Sequence, residues 1–140
     1  MTARIGEKVI GKVVTPCTVC DPLFHVYDNN NNLKWQIHAD YCQCGVCCRS
    51  SYGRCSEVIF PIYSGDKTDF DKSKSDGLVK KVFKGQDLIS DASTFHINFP
   101  SNATAEDKFM LISTVLMIDY QYYEESSGGK HHHRNRLHQF

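Results

Sequence analysis

Through most of the chain, short apolar segments read as strands, several of them with the two-residue alternation of a half-buried strand, and the pattern changes near the end. "LFHVYD" (23–28) sets Phe24 and Val26 against Leu23, His25 and Tyr27, and "LKWQIHA" (33–39) puts Leu33, Trp35 and Ile37 on one face. "KVIGKVVT" (8–15) is rich in β-branched residues and broken by Gly11, a composition that favours strand. "EVIFPIY" (57–63), "LVKKVF" (78–83) and "FHINF" (95–99) continue the series, the last with Phe95, Ile97 and Phe99 together. Pro61 has no amide proton for a ladder, so its strand is expected at an edge, or the proline at a strand end. "DNNNN" (28–32) predicts a hairpin loop, and "SGDKTDFDKSKSDG" (64–77), with little to bury, an exposed one.

The period changes at "TAEDKFMLISTVLMIDYQYYEE" (104–125). Thr104 and Asp107 have the spacing of a capping box. Beyond them Phe109, Met110, Leu111, Ile112, Val115, Leu116, Met117 and Ile118 cover every side of a helix, so it must be enclosed by protein or lipid. Ten residues, Phe109 to Ile118, run without charge before Asp119, whereas a single span needs roughly 20. A helix buried inside a β-structure is therefore expected. The alternative is a strained span from Phe109 to Tyr123, with Tyr120, Tyr122 and Tyr123 at the interface.

Composition adds bounds. A chain of 140 residues suits one domain with a real core. We place that domain at 1–125, followed by a polar His/Arg-rich tail at 126–140 expected to be flexible. Sixteen basic and sixteen acidic residues cancel, so no overall field recruits nucleic acid. "MTARIGEKVIGKVV" carries four charges and no apolar run, which excludes a signal peptide there and predicts an intracellular chain. Seven cysteines are then expected to be reduced.

The order of a Gly-punctuated strand, "CQCGVCC", a strand, "SDASTFHINFP" and an apolar helix with "MIDYQYYEE" resembles the phospholipid scramblase family. Asp91, Ala92, Phe95, Ile97, Phe99, Pro100, Ile118, Asp119 and Glu124 fit that family's pattern. The likeness covers about residues 5 to 125. It implies a mainly β fold with one C-terminal hydrophobic helix, here a partial tubby-like β-barrel of antiparallel strands around the helix. Only its second half is expected, so a second copy or a partner chain would complete the barrel. It further implies bidirectional, calcium-stimulated movement of phospholipids between leaflets, without covalent chemistry, at the cytoplasmic face of the plasma membrane.

The family's calcium stretch corresponds to Asp91 through Asn102. Calcium takes six to eight oxygens, at alternate positions in helix-loop-helix sites, yet Phe95, Ile97 and Phe99 occupy three of the alternates. Weak coordination by Asp91, Ser93 and Asn102 is expected, beside a strand that turns its three apolar residues to the core. Phe109, Ile112, Leu116, Ile118 and Asp119 mark the buried or membrane helix.

Other groups have other readings. Cys17, Cys20, Cys44 and Cys47 form two C-x-x-C pairs with passable zinc spacing, although Cys42, Cys48 and Cys55 are left over. Acylation would make the chain a lipoprotein, but small apolar packing is the leading reading of the cluster. Asp66, Asp69 and Asp71 read as a solvated run, and "NAT" (102–104) as an unused sequon. No nucleophile, base and acid form a catalytic set. A non-transporting tubby-like lipid-binding or adaptor module and a zinc-binding interaction domain are the competing functions.

Overall fold

The structure, a computed structural model, describes residues 1–16, 22–39, 43, 56–65, 67–83 and 94–123. Among the described residues seven strands, β1 (Thr2–Ile5), β2 (Lys8–Val14), β3 (Leu23–Asp28), β4 (Leu33–His38), β5 (Glu57–Ser64), β6 (Gly77–Val82) and β7 (Thr94–Asn98), precede one α-helix, α1 (Ala105–Tyr122). The strands pair in sequence order, each antiparallel to the next. Such a meander needs only short local connections. β1 and β7 are its two ends and do not pair with each other, so the sheet is a partial barrel with α1 on its inner face.

The six expected strands are present, and β1 is an addition. Its four residues, with one buried position, hid it, although Gly6, at φ +60, supplies the left-handed residue of a tight turn at no steric cost. A bulge between Ala3 and Arg4 adjusts the β1–β2 register. The predicted 28–32 loop closes on Asp28, whose Oδ1 accepts from the backbone amides of Asn30 and Asn32 at 2.9 and 2.8 Å. These bonds hold the Asp28 carboxyl below its usual range: the Asn32 amide contributes most, and slight burial opposes it.

Alternation sorts side chains onto two surfaces. Val13, Phe24, Val26, Trp35, Ile37, Val58, Phe60, Ile62 and Val79 fill the inner core with Met110, Leu111, Val115 and Ile118 of α1. On the outer surface the 64–77 loop is more tied down than its composition suggests. Phe70 stacks on His38 at 4.7 Å and meets Tyr63 edge-on at 5.3 Å. The Tyr63 hydroxyl donates to the Phe70 carbonyl, and the Gln36 amide donates to the carbonyls of Gly65 and Lys67. Tyr63 is thereby fully covered, and burial, followed by the charges of Asp71 and Asp69, raises its pKa.

Pro61 lies in the interior of the sheet, for a local reason. β4 pairs with β5 only from Ile62 to Ser64. Past that point the Gln43 side chain accepts from the Ile59 amide and donates to the Ile59 carbonyl, both at 2.7 Å. Ile59 and Pro61 turn their backbones to the same side, so the missing proton falls where the β4 ladder has ended.

Candidate functional site

The candidate site is α1 together with the strands that hold it. Its start forms the predicted capping box: the Asp107 amide donates to Thr104 Oγ1 at 3.2 Å and the Thr104 amide to Asp107 Oδ2 at 3.0 Å. Two orphan amides of the first turn are thereby satisfied. Next to them Lys8 of β2 pairs with Glu106 at 2.8 Å on the exposed surface, a contact worth about 0–1 kcal/mol. Lys108 lies 5.7 Å from the Phe99 ring. The first turn therefore touches both β2 and the residue after β7, which is possible because the sheet curls around it.

Close approach at β2 depends on Gly11. A β-carbon there would lie 2.2 Å from the Tyr27 carbonyl oxygen and 3.1 Å from the Met110 methyl. Only a residue without a side chain lets β3 and the helix approach from both directions.

One face of α1 is buried: Asp107, Met110, Leu111, Thr114, Val115 and Ile118. Thr114 satisfies its buried hydroxyl by donating to the Met110 carbonyl at 2.8 Å. On the opposite face Phe109, Ile112, Leu116 and Tyr120 are exposed to 37, 43, 65 and 71%. Their spacing of three and four residues aligns them as one apolar stripe. The seven strands enclose half of a helix whose composition called for enclosure all round. Of the five helix residues singled out in the sequence, Ile118 is in the core, Asp119 is half-buried, and Phe109, Ile112 and Leu116 line the uncovered stripe.

The far end of α1 holds a group that the sequence reading missed. Lys81 of β6 is buried at an inward position between Val79 and Phe83, and its ammonium lies 3.1 Å from Asp119 Oδ1. It is 4.1 Å from the centre of the Tyr123 ring, 4.5 Å from Phe95 and 5.6 Å from Phe83. Ring faces are electron-rich, so a desolvated ammonium among three of them is attracted by their quadrupoles. A lysine in phase with the core positions of "LVKKVF" and an aspartate closing an apolar helix were the available signals.

The calcium stretch is partly visible. Phe95, Ile97 and Phe99 pack against the core as their alternation predicts, while Asn102 is exposed in the turn before Thr104. Asp91 and Ser93 lie outside the described residues. Among the described residues of this stretch only Asn102, of the three expected ligands, offers an oxygen, and it alone does not make a closed site for a cation needing six to eight. Asp69 is engaged by Lys74 at 2.7 Å. Asp71 caps the 3-10 turn Lys72–Lys74, accepting from the Ser73 amide and hydroxyl; these two bonds, the amide first, lower its pKa. Asp66 lies outside the described residues, among which no three His, Cys, Asp or Glu side chains gather as a metal site. Cys17, Cys20, Cys44 and Cys47 also lie outside them, as do Glu124 and the 126–140 tail.

A curled antiparallel sheet with a hydrophobic C-terminal helix on its inner face defines a partial-barrel class of protein. The family model for Scramblase matches residues 2–125, and the chain belongs to that family. Membership supports a scramblase-like function in general terms and association with membranes, in a family of non-catalytic lipid transport. No solved structure matches the chain. Among the described residues no helix is long and apolar enough to cross a membrane.

Proposed function

We propose that this protein promotes bidirectional, calcium-stimulated movement of phospholipids between leaflets, acting from the cytoplasmic face of the plasma membrane as a peripheral protein. The observation that carries this reading is the uncovered stripe of Phe109, Ile112, Leu116 and Tyr120. Exposed apolar surface of this kind, on a helix whose other face is firmly seated, is suited to the acyl boundary of a bilayer. Scrambling makes and breaks no covalent bond. It requires that headgroups cross the hydrocarbon along a polar path, and a helix lying at the interface favours such a path by disturbing lipid packing. Asp91, Ser93 and Asn102 are the residues we assign to weak calcium coordination.

A second reading is favoured by how firmly α1 is held, by a capping box at one end and, at the other, by the pairing of buried Lys81 with half-buried Asp119. In that reading the protein binds a lipid surface through the stripe and transports nothing. Reconstituted liposomes with a leaflet-resolved fluorescent lipid, with and without calcium, separate the two. Calcium-dependent loss of asymmetry is expected; binding without it leaves the second reading. Fully burying a leucine contributes about 1.5–3 kcal/mol, and tenfold in affinity is about 1.4 kcal/mol. Leu116→Asp is therefore expected to weaken vesicle binding by about tenfold or more, and unchanged binding removes the stripe from both readings.

A further inference from the structure

The two ends of α1 are attached by different physics. At the start are backbone caps, an exposed ion pair and the contact of Met110 with Gly11. At the end, Ile118 is in the core and Tyr122 meets Phe24 of β3 edge-on at 6.2 Å, and a further set of contacts converges on one buried cation. Lys81 and Phe83 come from β6 and its following residue, Phe95 from β7, and Asp119 and Tyr123 from the last turn of the helix and its cap. The Lys81 ammonium is the group that touches a ring or carboxylate from each of these.

Apolar residues hold a helix on a sheet at least as well as a buried ion pair does, because the pair must first be stripped of water. What a charged pair adds is a difference between closed and open states. Closed, the Lys81 ammonium is buried while the Asp119 side chain keeps 31% of its surface exposed, so losing Asp119 leaves a buried charge uncompensated and losing Lys81 leaves a half-buried carboxylate without its partner. Open, both charges return to water and recover their hydration, which an apolar pair does not. The geometry points to a latch: the Lys81–Asp119 pair and its aromatic cage set whether the distal half of α1 lies on the sheet or opens away from it. The capped first turn serves as the pivot, since its hydrogen bonds are internal to the helix and survive the opening. This holds whatever the helix does in its open state, so the inference stands apart from the lipid-transport reading.

Site-resolved hydrogen exchange on the full chain tests it. In the native protein the amides of residues 114–119 are expected to exchange through a smaller opening than those of Val58, Phe60 and Ile62 in β5, and equal protection of the two sets overturns the latch. Lys81→Met keeps the aliphatic stem and removes the charge; Asp119→Asn keeps the shape and removes the partner charge. Each is expected to accelerate exchange at 114–119 by tenfold or more while β5 is unchanged. Acceleration of helix and sheet together, or of neither, overturns the proposal. The double variant Lys81→Met with Asp119→Leu distinguishes a latch from ordinary packing. With no charge to rehydrate, its distal helix is expected to exchange no faster than in the native chain, and exchange as fast as in the single variants rules the latch out.

Discussion

The two faces of α1 have similar chemistry and opposite surroundings. Leu111 is completely buried against the sheet, and Leu116, five residues on, is 65% exposed. The same side chain therefore contributes to stability at one position and is left as free apolar surface at the other. What divides the faces is the extent of the sheet: seven strands curl far enough to cover one side of the helix, and among the described residues no strand joins β1 to β7. The buried face belongs to the fold, and the stripe is where a function at an apolar boundary belongs.

Shortening each leucine breaks or confirms this division. Leu111→Ala removes a fully buried side chain and leaves a cavity between helix and sheet, so a loss of about 3 kcal/mol is expected, measured as a lowered midpoint in urea. Gly11→Ala attacks the same seat from the strand side. Its new methyl meets the Tyr27 carbonyl oxygen and Met110, and about 1–3 kcal/mol is expected for overpacking of this kind. A smaller midpoint shift than at Leu111 would still agree; an increase in stability would mean that the helix is not held at this approach.

Acidification acts on the other surface of the sheet. His25 is partly buried beside Tyr27, with ring centres 6.1 Å apart, and burial lowers its pKa, partly offset by a Gln36 hydrogen bond. The unfolded chain takes up this proton near 6.5, and the folded chain only at lower pH. Below about 6.5 the unfolded state thus binds more protons, and stability falls as pH falls. A modest decline between pH 7 and 5 is expected in thermal melts, and it should shrink in His25→Gln; an unchanged slope removes His25 as its source. Leu116→Ala comes last, with an expected stability change within about 0.5 kcal/mol. If it destabilised the protein as much as Leu111→Ala, the stripe would be packed in solution and the two faces would not differ.

Much of this architecture was legible in the sequence. Alternation marked β3, β4 and β7, because one face of each must be apolar to meet the core, and the β-branched composition of 8–15 marked β2. The Thr104–Asp107 spacing marked the start of α1, because capping is local and needs no tertiary partner. The ordered pattern across about residues 5 to 125 marked the family. β1 escaped because four short residues with one buried position carry almost no periodic signal. Pro61 was misjudged because its tolerance depends on where β4 stops pairing and on Gln43 taking over.

Sequence by itself determined which residues prefer strand or helix, and that α1 is hydrophobic on every side. Only the tertiary structure decided which of those sides is covered, because coverage depends on the curvature and extent of a sheet assembled from distant segments. The same holds for Lys81 and Asp119, 38 residues apart along the chain and 3.1 Å apart in space. Each reads alone as a charge misplaced among apolar neighbours. Paired across strand and helix, they join Ile118 and the Phe24–Tyr122 contact in seating the end of α1.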